Sequence, residues 1–211
     1  MIEKKYDKKR LSKINDIIGI GIDIEDHKFS KLSRNHYGNY ILYAGRIDTY
    51  KGSRELMEFF LRYVKERNKK LNLVMIGRDY LGLPKRRNVI KLGYVSQNKK
   101  FNLLRHAKVV INPSFYESLS MLLLEAFFCA KPALVNGNCK VLKDQIIRSG
   151  AGLYYTNYDS FSRNLTKLLS NTRLRKDMGV KGRLFFNRYY AKEIIQFKYL
   201  KIFDKLINPK N

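Results

Sequence analysis

The sequence predicts an α/β fold, a doubly wound open parallel sheet of about six strands with a helical C-terminal tail. Short, continuously apolar runs bounded by Gly, Pro or Asn recur along the chain, the pattern of strands buried on both faces. Longer stretches with apolar residues at helical spacing separate them, and a β/α/β/α alternation builds a parallel sheet covered by helices. Size agrees, because 211 residues with 45% hydrophobic and 13% aromatic side chains are within reach of one domain with a real core.

In chain order, residues 1–37 open with "MIEKKYDKKR" and form a lead-in too short and too charged to build a second sheet. The strands expected over residues 38–190 are "ILYAG" (Ile41–Gly45), "NLVMIG" (Asn72–Gly77), "NVIKLG" (Asn88–Gly93), "KVVINP" (Lys108–Pro113), "PALVNG" (Pro132–Gly137) and "GLYYT" (Gly152–Thr156). Helices are expected over Ser53–Arg67, Ser96–His106, Leu119–Ala130 and Lys140–Ser149; in the first, Leu56, Met57, Phe60, Tyr63 and Val64 share one face. Met57, Met75 and Met121 read as core filler, and Tyr154 and Tyr155 as packing residues of a strand. From Tyr158 the pattern is purely helical. Residues 191–211 form an amphipathic helix with Ile195, Tyr199, Ile202, Phe203, Leu206 and Ile207 on one face and Lys198, Lys201 and Lys205 beside it. That face is expected to pack on a domain, with an anionic membrane surface as the alternative.

The net charge of +25, from 43 basic and 18 acidic residues, points to an anionic partner such as nucleotide phosphate, nucleic acid or acidic lipid. Lysine, isoleucine and asparagine are all frequent, which a genomic base-composition bias would also produce, so part of that charge is discounted. Cys129 and Cys139 have no metal-ligand spacing and fit a reducing cytosol. No run approaches the roughly 18 apolar residues of a spanning helix.

In open parallel sheets ligands bind outside the carboxyl ends of the strands, near helix N-termini. After the Ile41 strand, Gly45 lets the backbone turn, and Arg46 and Lys51 flank a loop able to cradle a diphosphate or, in a chain this basic, simply to be solvated. Ser53 is expected to cap the next helix in either case. "PSFYESLSMLLLEAFFCAKP" places Glu117 before an apolar run and Glu125 within it, where a carboxylate without a partner is costly. If the whole stretch were helical, a rise of ~1.5 Å per residue would set the two acids on the order of 12 Å apart. That matches the span of a nucleotide diphosphate sugar from hexose to ribose, one acid reading each end. The alternative is that Glu117 complements the helix dipole and Glu125 pairs with a buried Lys or Arg. Asn136, Gly137 and Asn138 end another strand as contacts or as an ordinary turn. The loop Arg78–Arg87 is positioned to approach a base, its Lys85, Arg86 and Arg87 reading as solvated.

Taken in order, "IIGIGID" (Ile17–Asp23), "GRIDTYKG" with Arg46 and Lys51, "LGYVS", "NLLRHAKVVINPSFYESLSMLLLEA" with Glu117 and Glu125, and "KPALVNG" resemble the donor-binding half of family 4 (group 1) glycosyltransferases of GT-B architecture. The resemblance covers about Ile17 to Leu206. It implies a Rossmann-like domain in which Arg46 and Lys51 contact phosphate, Glu117 the transferred sugar and Glu125 the ribose, with Gly45 and the amides of Ser118, Leu119 and Ser120 approaching the donor. The family's usual Gly-Phe-Gly after the first acid is Ser118-Leu119-Ser120 here, which restricts closest approach.

The implied reaction is retaining, metal-independent transfer of a hexose from a nucleotide diphosphate sugar, the donor substrate rather than a cofactor, to a glycan or lipid-linked acceptor. His27, His36 and His106 are scattered and no Asp-x-Asp pair is present, so leaving-group charge would fall to Arg46, Lys51 and the helix dipole. The family's acceptor-binding domain has no counterpart in the sequence, so a general base or acceptor-positioning group would come from that domain, in cis or in trans. The expected location is cytoplasmic, with peripheral contact at the inner face of the membrane. The competing readings are a non-catalytic nucleotide-sugar-binding domain and a basic nucleic-acid binder. No nucleic-acid-binding signature is present, so nucleic acid is not the expected partner.

Overall fold

The structure, a computed structural model, describes residues 20–22 and 35–207. The chain divides into two compact units, residues 25–186 and residues 1–24 with 187–211.

The first unit is built on six parallel strands: β1 (Tyr40–Ala44), β2 (Asn72–Ile76), β3 (Val89–Lys91), β4 (Val109–Asn112), β5 (Ala133–Asn136) and β6 (Gly152–Tyr155). Their order in the sheet is β3-β2-β1-β4-β5-β6. β1 pairs along its whole length with β2 and, through Ile41 and Leu42, with β4. The strand order therefore reverses between β1 and β4, and the loops leaving their carboxyl ends diverge to open a crevice. Each expected strand is present, with ends trimmed by a residue or two, except that β1 begins one residue earlier, at Tyr40.

The helices are α1 (Ser53–Glu66), α2 (Gln97–His106), α3 (Met121–Phe128), α4 (Lys140–Ser149), α5 (Tyr158–Ser170), α6 (Thr172–Tyr189) and α7 (Lys192–Ile207). On one face of the sheet α1 and α5 bury Leu56, Phe60, Phe161 and Leu165 with Ile41, Leu73, Val109 and Leu134 in one core. The other face carries α2 and α3, whose Phe101 and Phe128 rings meet edge to face at 6.0 Å. Phe186 of α6 extends that layer against Phe128 at 5.4 Å. Gly179 lets α6 come so close that a Cβ there would lie 2.1 Å from the Ala130 carbonyl oxygen. Burial pushes the Cys129 thiol up to about 12, so this residue packs as a neutral side chain.

Three expectations are corrected. Gly52, not Ser53, occupies the N-cap of α1, in the left-handed conformation at φ 65°; Ser53 is the buried first residue of the helix, its Oγ 3.3 Å from the Tyr43 hydroxyl. The helix carrying Glu125 begins only at Met121, with Ser120 as N-cap, so Glu117 lies on irregular backbone and the all-helical spacing of the two acids does not apply. Met121 is not core: it is 44% exposed.

In the second unit Ile22 bridges Ala191 in parallel, and Ile195 of α7 is buried with its Cβ 3.0 Å from where a Gly21 Cβ would be. Apart from these positions and Ile20, the lead-in phrase Ile17–Asp23 and His27 lie outside the described residues. Ile195 is the buried member of the expected α7 face; Tyr199, Phe203, Leu206 and Ile207 are exposed, as are Phe197 and Leu200. Among the described residues no helix is long and apolar enough to cross a membrane.

Candidate functional site

The crevice at the reversal of strand order is drawn tight by backbone contacts. Gly45 donates its N–H to the Ile76 carbonyl at 2.9 Å, and Ile47 to that of Arg78 at 2.9 Å, lacing the loop after β1 to the loop after β2. The fit requires glycine at 77, with φ 127° and a hypothetical Cβ only 2.0 Å from the Gly45 oxygen. On the other side Gly52 is equally constrained, since a Cβ would lie 2.1 Å from the Pro113 oxygen.

The loop after β4 is fixed by buried polar side chains. Asn112 ends the strand, accepts the Ser114 N–H at 3.0 Å and donates to Ser120 Oγ at 2.8 Å. Ser120 Oγ in turn accepts the Leu123 N–H at 3.2 Å, capping α3. Gln145 of α4 accepts the Ser120 N–H at 3.2 Å. This chain of hydrogen bonds brackets Glu117, Ser118 and Leu119, none of which is buried.

Two openings flank the first turn of α3. One is a cavity of about 410 Å³ lined by Gly45, Arg46, Gly77, Arg78, Lys100 and Glu125, with Met121 and Leu122 of that turn. Three cations thus face one carboxylate, beside a helix end whose first N–H groups lack intrahelical partners. Lys100 Nζ donates to Glu125 Oε1 at 2.5 Å, and both side chains are largely shielded. The other opening is a wider cleft of about 580 Å³ containing Tyr116, Glu117, Ser118, Asn138 and Lys140. Lys51 Nζ is 2.8 Å from Glu117 Oε1, and its backbone N–H donates to Asp48 Oδ1 at 2.7 Å. Arg46 reaches Asp48 at 3.4 Å and is mostly exposed.

The residues expected at the site therefore converge on one edge of the sheet: Gly45, Arg46 and Glu125 in the cavity, Glu117 and Ser118 in the cleft, and Lys51 tied to Glu117. Leu119 is half-buried and Ser120 is buried, occupied as the α3 cap. Asn136 serves the fold instead, donating to the Pro113 carbonyl at 3.3 Å and accepting the Asn138 N–H at 3.0 Å. Lys85, Arg86 and Arg87 are exposed and do not line either opening. Sequence reasoning missed Gly77, Lys100 and Gln145. It also missed that Tyr50, Tyr80, Tyr94 and Tyr116, one on each loop after β1 to β4, are exposed.

The family model for "Glycosyl transferases group 1" matches residues 24–185, and the chain belongs to that family. It is 30% identical over 146 residues to the uncharacterized glycosyltransferase MJ1607 of Methanocaldococcus jannaschii, covering 64% of this chain and 37% of that protein. A second protein of that organism, the uncharacterized glycosyltransferase MJ1069, is 24% identical over 87% of this chain and 49% of its own length. The chain thus spans between about a third and a half of these curated relatives. Among solved structures it resembles sucrose-phosphate synthase from Thermosynechococcus elongatus, with TM-score 0.67, 17% identity and coverage of 82% of this chain and 46% of that one. The Anabaena protein HepE, solved in complex with UDP and glucose, matches with TM-score 0.67 and 12% identity over 80% of this chain and 49% of its own. These neighbours share the Rossmann-like GT-B fold.

Proposed function

We propose that this chain binds a nucleotide diphosphate sugar across the crevice between β1 and β4, as the donor-binding part of a retaining hexosyltransferase. The observation that carries the reading is the cavity in which Arg46, Arg78 and Lys100 surround Glu125 beside the α3 N-terminus. An anion gains there from both the cations and the free helix amides. The diphosphate lies against Arg46, Lys51 and the amides of Ser118 and Leu119, the Ser120 amide being taken by Gln145; Glu125 accepts from the ribose and Glu117 from the transferred hexose. Gly45 permits close approach. Both lysines already hold these acids, so an ion pair and a ligand contact use the same carboxylate through different lone pairs.

As the bond between the anomeric carbon and the diphosphate breaks, negative charge grows on the leaving group, and Arg46, Lys51 and the helix dipole stabilise it without further movement. We assign that charge to these groups rather than to a metal. The acceptor, a glycan or a lipid-linked saccharide, is held by a second sheet domain in cis or in trans, which also supplies any base. The reaction belongs in the cytoplasm, with peripheral contact at the inner face of the membrane.

A thermal-shift screen with UDP, GDP, ADP and their sugars tests the reading. One nucleoside diphosphate is expected to raise the melting temperature, and Arg46→Ala with Lys51→Ala to weaken its binding by about tenfold or more, since a charge-assisted hydrogen bond contributes about 1.5 to 3 kcal/mol. No shift with any of them, or equal affinity in the double variant, would remove the assignment.

A further inference from the structure

We infer that Lys100 is a specificity-determining partner of Glu125, and that the two together read the vicinal diol of a ribose and reject a deoxyribose. The inference rests on the donor-binding reading above and adds to it a residue from another helix.

Lys100 belongs to α2, and its neighbour Phe101 is buried against Phe128, which fixes the rotation of α2. The next position back then faces the cavity, where the ammonium sits 2.5 Å from Glu125 Oε1 with side-chain exposures of only 20% and 14%. This cation is held largely out of water inside the opening that faces the crevice. An ion pair this shielded carries a desolvation cost and is weak evidence for a purely stabilising role.

The chemistry of the pair suits a diol. An ammonium has three N–H donors and no acceptor, whereas an ionised carboxylate has about four acceptor sites and no donor. With one N–H on Glu125, Lys100 keeps two donors, and Glu125 keeps Oε2 and part of Oε1. One hydroxyl can donate to Glu125 while the adjacent hydroxyl oxygen accepts from Lys100. The pair thus offers one acceptor and one donor side by side, so each hydroxyl is met in a different role. Removing one hydroxyl from the ligand leaves a shielded charged group short of a partner, which is how polar sites discriminate strongly.

The test is calorimetric titration of the whole chain with UDP and with 2′-deoxy-UDP, using wild type, Lys100→Met, Lys100→Gln and Lys100→Arg, each checked for a native melting transition. The wild type is expected to prefer UDP by about tenfold or more. Lys100→Met is expected to weaken UDP about tenfold more than 2′-deoxy-UDP and so erase most of that preference, and Lys100→Arg to restore it. Lys100→Gln keeps a neutral donor and guards against misreading an unfolded Met variant. A preference unchanged in Lys100→Met and Lys100→Gln overturns the role of Lys100 while leaving the donor site intact. An equal loss for both nucleotides reduces the pair to a structural one and overturns it as well. Failure of the wild type to bind any nucleoside diphosphate overturns this inference together with the reading on which it rests.

Discussion

Lys51 and Glu117 face each other at 2.8 Å from loops on opposite sides of the crevice, and Lys100 of α2 pairs with Glu125 of α3. Each acid is therefore already held by a lysine before a ligand arrives, and the roles of the two acids are separable by mutation. Glu125→Gln is expected to weaken a nucleoside diphosphate and its sugar equally, by about tenfold or more. Glu117→Gln should leave the diphosphate unaffected and remove the extra affinity contributed by the sugar; identical losses for both ligands in both variants, measured by calorimetry, would contradict the division. Arg46, Lys51, Glu117 and Glu125 were legible in the sequence because each is a charge beside a Gly- or Pro-bounded apolar run. Lys100 was not, because in "SQNKKFN" it is indistinguishable from any surface lysine until Phe101 fixes the helix rotation. Gly77 escaped notice for a similar reason, as its constraint comes from the carbonyl of Gly45 on another strand.

Among the elements, the loop after β2 is organised by one carboxylate. Asp79 accepts the N–H groups of Leu81 and Leu83 at 3.0 and 3.1 Å and pairs with Lys91 of β3 at 2.6 Å. Burial pushes the Asp79 carboxyl up, but the Lys91 hydrogen bond, the Leu81 and Leu83 amides and the Lys91 charge together outweigh it, and the group lies below the usual carboxylate range. Its contribution is therefore present above the unfolded value of about 4 and is lost as pH falls through the lower folded value. Melting curves of wild type and Asp79→Asn should differ by a constant amount from pH 7 to 5, with the gap shrinking as pH falls below about 4; a gap undiminished at pH 3 would show that the loop does not depend on the ionised group. The strands were readable because burial on both faces makes them uniformly apolar, whereas the start of α3 was set too early, at Leu119, because the apolar run there hid Ser120 as its cap. The start of α1 was misassigned to Ser53 because the left-handed turn at Gly52 is imposed by Pro113, a residue of the loop after β4. The α7 pattern gave a helix, as found, but periodicity alone cannot supply what covers its apolar residues, and within the helix only Ile195 is buried.

At the scale of the molecule the central claim is locational: an anionic nucleotide goes to the edge of the sheet where strand order reverses. The structure offers a contrasting cavity of about 380 Å³, lined by His36, Tyr37, Tyr40, Asn98, Lys99 and His106, away from the Gly45 and Pro113 loops. Both contain basic and aromatic groups, so net charge does not choose between them, whereas the strand topology does. A chain of 24.9 kDa is within range of backbone amide NMR, and a titration with UDP reads every position at once. The account predicts saturable shifts concentrated at Gly45, Arg46, Gly77, Lys100, Ser118 and Glu125. Shifts concentrated instead at Tyr37, Tyr40, Asn98 and His106, or scattered over exposed lysines and abolished by moderate salt, would contradict it.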